Sequence, residues 1–134
     1  MSGEAIQETL AVLDDTTRPA MEREQAAHKL AETPSPEVVE RLVAALEDEE
    51  SGVRWAAAAA LIDCGDAALT PLLHALISQA DSTWLREGAH HVFSNTRSLK
   101  VQQATADVVT ALKGPASGVA TTEAAVRALM SLQG

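Results

Sequence analysis

Four eight-residue stretches recur along this 134-residue chain. They are Arg23–Leu30 (REQAAHKL), Arg54–Leu61 (RWAAAAAL), Arg86–Phe93 (REGAHHVF) and Thr122–Leu129 (TEAAVRAL). Each opens on Arg or Thr and has alanine three residues later, at Ala26, Ala57, Ala89 and Ala125. Each closes on a large apolar residue seven positions on. The starts lie 31, 32 and 36 residues apart. A near-constant period of this length is left by stacked copies of one supersecondary unit, because a single unit cannot bury its own apolar face.

A companion helix is expected before each stretch, over 5–13, 37–46, 67–76 and 99–112. The last three close on one pattern: Leu42-Val43-x-x-Leu46, Leu72-Leu73-x-x-Leu76 and Val108-Val109-x-x-Leu112. That i, i+1, i+4 spacing marks one face of an α-helix. The punctuation agrees. Ser35-Pro36-Glu37 reads as an N-cap, a first-turn proline and a carboxylate at the positive end of a helix. Gly65-Asp66 ends one helix and can cap the next, and Thr70-Pro71 starts or kinks the third companion helix. Gly114-Pro115 stops the seventh helix. Asp81 or Ser82, and Thr121, are plausible caps for the later helices. The expected fold is all-α, a solenoid of four stacked antiparallel helix pairs. It forms one domain over residues 1–134, with repeats over 3–33, 34–64, 65–96 and 97–133.

The composition suits close-packed helices. The chain is 46% hydrophobic but only 2% aromatic, so the core is built from Ala, Leu and Val. Nineteen acidic against ten basic residues give a net charge of −9. That balance argues against nucleic acid, whose binding rests on a Lys/Arg footprint, and against an anionic membrane surface. It would attract a basic partner, although most acidic domains are simply soluble. The lone Cys64 cannot pair within the chain, which permits a reducing compartment. The N-terminal stretch shows no signal-peptide pattern, and the apolar run Trp55–Ile62 is too short to cross a bilayer. A cytoplasmic location is the expectation.

The segment Val53-Arg54-x-Ala-Ala-Ala-x-Ala60-Leu61, followed by Gly65-Asp66 and Pro71-Leu72-Leu73-x-Ala75-Leu76, resembles a HEAT-like repeat. It is most similar to the short type first named for the bilin lyases of light-harvesting antennae. The resemblance implies a protein-interaction scaffold whose second helices line a concave groove. It also implies a ladder in which Asp48 meets Arg54 and Asp81 meets Arg86, ending where Thr122 replaces the arginine.

On a 100° wheel, the positions before and three, four and seven after the opening arginine share one side. In the second repeat these are Val53, Ala57, Ala58 and Leu61, the expected core. Positions one, five and eight lie opposite and would face the groove. Position one reads Glu24, Trp55, Glu87, Glu123. Position five reads His28, Ala59, His91, Arg127. Position eight reads Ala31, Ile62, Ser94, Met130. The expected partner-binding set is Trp55, Ala59 and Ile62 at an apolar centre, flanked by Glu24–His28 and Glu87–His91. Glu-to-cation pairs four residues apart are also ordinary helix-surface support. Trp55 is a hot-spot residue type and could take a cation between two carboxylates. Equally, it could lie flat on a neighbouring helix, and the sequence leaves the two open. Trp84 is expected as an apolar plug over the second repeat.

No catalytic constellation, cofactor or metal site is expected. His90 and His91 diverge by 100° on a helix and cannot easily serve one ion. His90 is expected to face the neighbouring repeat, hydrogen-bonded. Cys64 has no evident histidine partner, and a helix C-terminus does not stabilise a thiolate. HEAT-like deoxyhypusine hydroxylases use His-Glu pairs at positions one and two, where this chain has Glu24-Gln25, Trp55-Ala56, Glu87-Gly88 and Glu123-Ala124. HEAT-like DNA-alkylation repeat enzymes use a basic groove, which this charge does not match. The expected function is a non-enzymatic scaffold binding a protein segment, with a basic one in mind. The alternatives are a bilin-lyase-like or other enzyme-associated subunit, and a structural homodimer through the C-terminal repeat, where Leu129, Met130 and Leu132 either pack back on the seventh helix or form a self-association surface.

Overall fold

The computed structural model describes residues 2–114 and 117–133. Among these, eight α-helices and no strand are found: α1 (Gly3–Asp14), α2 (Ala20–Leu30), α3 (Pro36–Ala45), α4 (Ser51–Cys64), α5 (Leu69–Ser78), α6 (Thr83–Asn95), α7 (Leu99–Lys113) and α8 (Ser117–Gln133). The Ser hydroxyls that precede four of them satisfy first-turn amides that have no partner within the helix. Ser2 accepts from the Ala5 N–H, Ser35 from Val38, Ser82 from Leu85 and Ser98 from Val101. Of the two residues considered for the α6 cap, Ser82 is the one used.

Two boundaries differ from expectation. Thr121 is not a cap: α8 starts four residues earlier, and Thr121 lies fully buried inside it. Between α4 and α5 the chain makes a 3-10 turn over Gly65–Ala68. Gly65 has φ 60 and ψ −127, a conformation that a side chain would strain. By length and composition alone, the stretch Ser51–Ser78 would be apolar enough to cross a membrane. Here Gly65 breaks it, and Val53, Ala57, Leu61, Leu69, Leu72 and Leu76 are all buried in the core. Gly114 follows α7 as its C-cap; Pro115 lies outside the described residues.

The first three hairpins stack regularly. Helices α1, α3 and α5 form one layer, and α2, α4 and α6 form the other. The seam between α2, α4 and α6 is mostly alanine, with Ala26, Ala27, Ala57, Ala58 and Ala89 all buried, so the helix axes can approach closely. The large residues that close the octads, Leu30, Leu61 and Phe93, are buried as well.

The fourth hairpin departs from this order. Its first helix, α7, packs beside α6 and continues the α2–α4–α6 layer. Its second helix, α8, packs against α5 and α7 and continues the other layer. Only Thr96–Ser98 separates α6 from α7, whereas residues 31–35 separate α2 from α3. A short connection holds sequence neighbours together as antiparallel partners. Thr96–Ser98 is one residue shorter than the Gly65–Ala68 turn that carries α4 across to α5. The connection is itself tied down. Gln102 donates to the Thr96 carbonyl at 2.9 Å, Arg97 pairs with Asp63 at 2.7 Å, and the Ser98 hydroxyl donates to Asp66.

Candidate functional site

Each octad arginine does the same local work. Arg23 Nε donates to the Leu13 carbonyl at 2.9 Å, Arg54 donates to the Asp48 carbonyl at 2.7 Å, and Arg86 donates to the Ala80 carbonyl. Each therefore satisfies a carbonyl at or just beyond the end of its hairpin's first helix, Leu13 in the last turn of α1 and Asp48 and Ala80 in the turns that follow α3 and α5. What the rest of the guanidinium does differs. Arg23 forks onto the Asp48 carboxylate of the next hairpin, with one N–H···O contact at 3.1 Å. Arg54 instead lies over the ring of Trp84, 4.2 Å from its centroid.

The expected ladder is thus corrected. The Asp48 carboxylate bonds Arg23 rather than Arg54, which takes the backbone carbonyl of Asp48. Arg86 takes the carbonyl of Ala80 rather than the carboxylate of Asp81. The joint between neighbours runs from one hairpin's arginine to the next hairpin's turn or tryptophan. Trp84, expected as a plug, is half-exposed and covered on one face by Arg54.

Trp55 sits at 48% exposure. Its ring meets His91 of α6 edge-on, with centroids 5.2 Å apart and planes at 75°. It neither stands free nor lies flat on a helix. Beside it opens a cleft of about 550 Å³ lined by Trp55 of α4, Thr83, Arg86, Glu87, His90 and His91 of α6, and Leu112 and Lys113 of α7. The cleft lies at the open end of the α6–α7 hairpin, between the first turns of α6 and the last of α7.

The structure brings three of the expected residues to this cleft: Trp55, Glu87 and His91. The other four lie elsewhere. Glu24 turns to the start of α4, where its carboxylate fills the space that a side chain at Gly52 would need. That is a favourable place for a negative charge, at a helix N-terminus. Trp55 is therefore not held between two carboxylates. His28 is exposed, and Ala59 and Ile62 are half-buried; none of them lines the cleft. In the fourth repeat, Glu123, Arg127 and Met130 are exposed on α8, which belongs to the α5 layer and not to the row of Trp55.

Sequence reasoning missed Thr83, Arg86, His90, Leu112 and Lys113. One signal was available. His90 occupies the position that Ala27 and Ala58 hold fully buried. A histidine there marks the helix whose seam is left partly open, and His90 is indeed only half-buried, 3.5 Å from the Ser94 hydroxyl. Leu112 and Lys113 carried no such mark, because their place depends on the docking of α7.

Among the ionisable groups that are shifted, Asp48 and Cys64 owe the shift to the packing between helices. Burial alone would raise the Asp48 carboxyl. The hydrogen bonds from Arg23 and the Glu50 N–H, with the charges of Arg23 and Arg54, outweigh burial and hold it below its ordinary value. Cys64 is buried, and desolvation, helped by the Asp63 charge, pushes its thiol up to about 11. Among the described residues, no group of three or more His, Cys, Asp or Glu side chains is placed to hold a metal ion.

The family of HEAT repeats matches residues 6–94, about two thirds of the chain. The chain belongs to the HEAT-repeat family. The matched span covers the three regularly stacked hairpins and ends as α6 ends. No curated protein and no solved structure matches the chain. HEAT repeats generally mediate protein–protein interaction or scaffolding and are typically non-enzymatic.

Proposed function

We propose that this protein is a non-enzymatic interaction module that seats a segment of a partner protein in the cleft at the open end of the α6–α7 hairpin. The observation that carries the reading is the half-exposed Trp55, braced by His91 at the mouth of that cleft. A braced aromatic ring offers large apolar area with little conformational freedom left to lose, which is why Trp dominates binding hot spots. Leu112 extends the apolar floor.

The charges around the ring bear on the partner. The whole chain is acidic, but the cleft holds the cations Arg86 and Lys113 against one carboxylate, Glu87. Distant surface charges are screened within about 8 Å at physiological salt, so the near ones govern the contact. The segment that fits places an apolar side chain on Trp55 and an acidic one toward Lys113. This reverses the basic partner expected from net charge. The module works in a reducing compartment such as the cytoplasm, consistent with a single buried thiol.

Selection of a random peptide display library on the purified protein tests the reading. Enriched peptides should carry Asp or Glu beside Leu or an aromatic residue. Their binding should be lost in Trp55→Ala and weakened in Lys113→Glu, with helicity unchanged by circular dichroism. Binding that survives Trp55→Ala would assign the contact to another face.

A further inference from the structure

Helix α8 buries Thr121, Ala124, Ala125 and Ala128 on the side turned to α5 and α7. The opposite side carries three apolar residues in line. Val119 is 70% exposed, Met130 is 67% exposed, and Val126 lies between them, also exposed. On a helical wheel the three fall within about 40° of one another, opposite the buried set. Glu123 lies beside this stripe and Arg127 at its edge, both exposed. Neither forms an ion pair among the described residues.

We infer that this face is an isologous interface that binds α8 of a second copy of this chain, antiparallel, about a two-fold axis near Ala125. The pattern is self-complementary in one register. Setting Glu123 opposite Arg127 of the other copy also brings Val119 opposite Met130, within one residue, and repeats both pairs across the axis. Val126 then lies close to the axis and meets its own counterpart. A two-fold contact requires that if one residue meets another, the reverse pair forms as well. Here one register satisfies that condition for the charges and the apolar side chains together. An unrelated partner would require no such internal matching. The contact is a single helix pair, so the dimer is weak and dilution separates it.

Sedimentation velocity across the micromolar to millimolar range tests this on the full chain. The wild type should pass from monomer to dimer as concentration rises. Glu123→Arg alone and Arg127→Glu alone each place like charges opposite one another and should weaken the dimer roughly tenfold or more. Mixing the two single variants restores opposite charges at both pairs, so the mixture should recover a heterodimer. Both residues are exposed, and unchanged circular dichroism confirms that each variant folds. A wild type that stays monomeric overturns the inference and returns the stripe to a different partner. Single variants that dimerise as the wild type does, or a mixture that recovers nothing, overturn it too.

Discussion

Arg23 of the first hairpin and Asp48 of the second are joined by a charge-assisted pair in which the guanidinium is only 3% exposed. The same arginine holds the Leu13 carbonyl through Nε. One side chain thus closes its own hairpin and clamps the next. Removing one member of a buried pair leaves the other charged and unpartnered, at a cost of about 3–5 kcal/mol. Asp48→Ala should lower unfolding free energy by that order in urea denaturation. In a double-mutant cycle with Arg23→Met, the double variant should lose less than the two single losses combined.

The same carboxylate makes stability depend on pH. Its pKa is lowered in the folded state from an ordinary 3.8. The unfolded chain therefore takes up the proton first as pH falls. The contribution of Asp48 is fully present above 3.8 and fades as pH drops through the lower folded value. Denaturation of wild type and Asp48→Asn across acidic pH should show the gap between them narrowing over that window. A gap independent of pH would contradict the pair.

Leu61 and Trp55 occupy different sides of α4, and their substitution should cost different amounts of stability. Leu61 is completely buried. Leu61→Ala should cost about 2–5 kcal/mol by lost transfer energy and an unfilled cavity. Trp55 is half-exposed, and Trp55→Ala should cost less, about 1–2 kcal/mol, from the buried half of the ring together with its edge contact to His91. Thermal or urea unfolding of both variants separates the position that holds the fold from the one proposed to bind.

Cys64 should be a slow thiol. With its pKa at about 11 and its side chain buried, little thiolate exists at mild pH. Ellman's reagent at pH 8 should label the native protein far more slowly than the protein in concentrated urea. Fast native labelling would mean that the end of α4 opens readily.

Thr121 carries a buried hydroxyl with no hydrogen-bond partner among the described residues. A polar group desolvated without a partner is a cost. Thr121→Val keeps the shape and removes that cost. It should leave stability unchanged or raise it by up to about 1 kcal/mol, as read by calorimetry. A marked loss would show that the hydroxyl has a partner in solution.

The repeat, the helices and the burial of Val53, Ala57, Ala58 and Leu61 were legible because each follows from spacing alone. The family was legible from the same octads. The cleft was legible only in part. Trp55, Glu87 and His91 were placed by the wheel, while Leu112 and Lys113 reach it through the exchange of layers by α7 and α8. The pattern Val108-Val109-x-x-Leu112 says that α7 has an apolar face; it does not say which layer receives it. Glu24 was misplaced for a similar reason. A wheel gives the direction of a Cβ, but a long carboxylate follows the nearest helix N-terminus.

The exchange of layers also governs how the molecule can change in length. Within the first three hairpins, each unit presents to the next the surface it receives from the one before. A duplicated hairpin inserted there would find matching neighbours on both sides. Past α6 that equivalence is gone, since α7 and α8 run against the other members of the layers they join. A regular hairpin set against them would meet both helices reversed. Insertion or loss of a whole regular hairpin is therefore accommodated between α1 and α6, and the exchange of layers interrupts that equivalence.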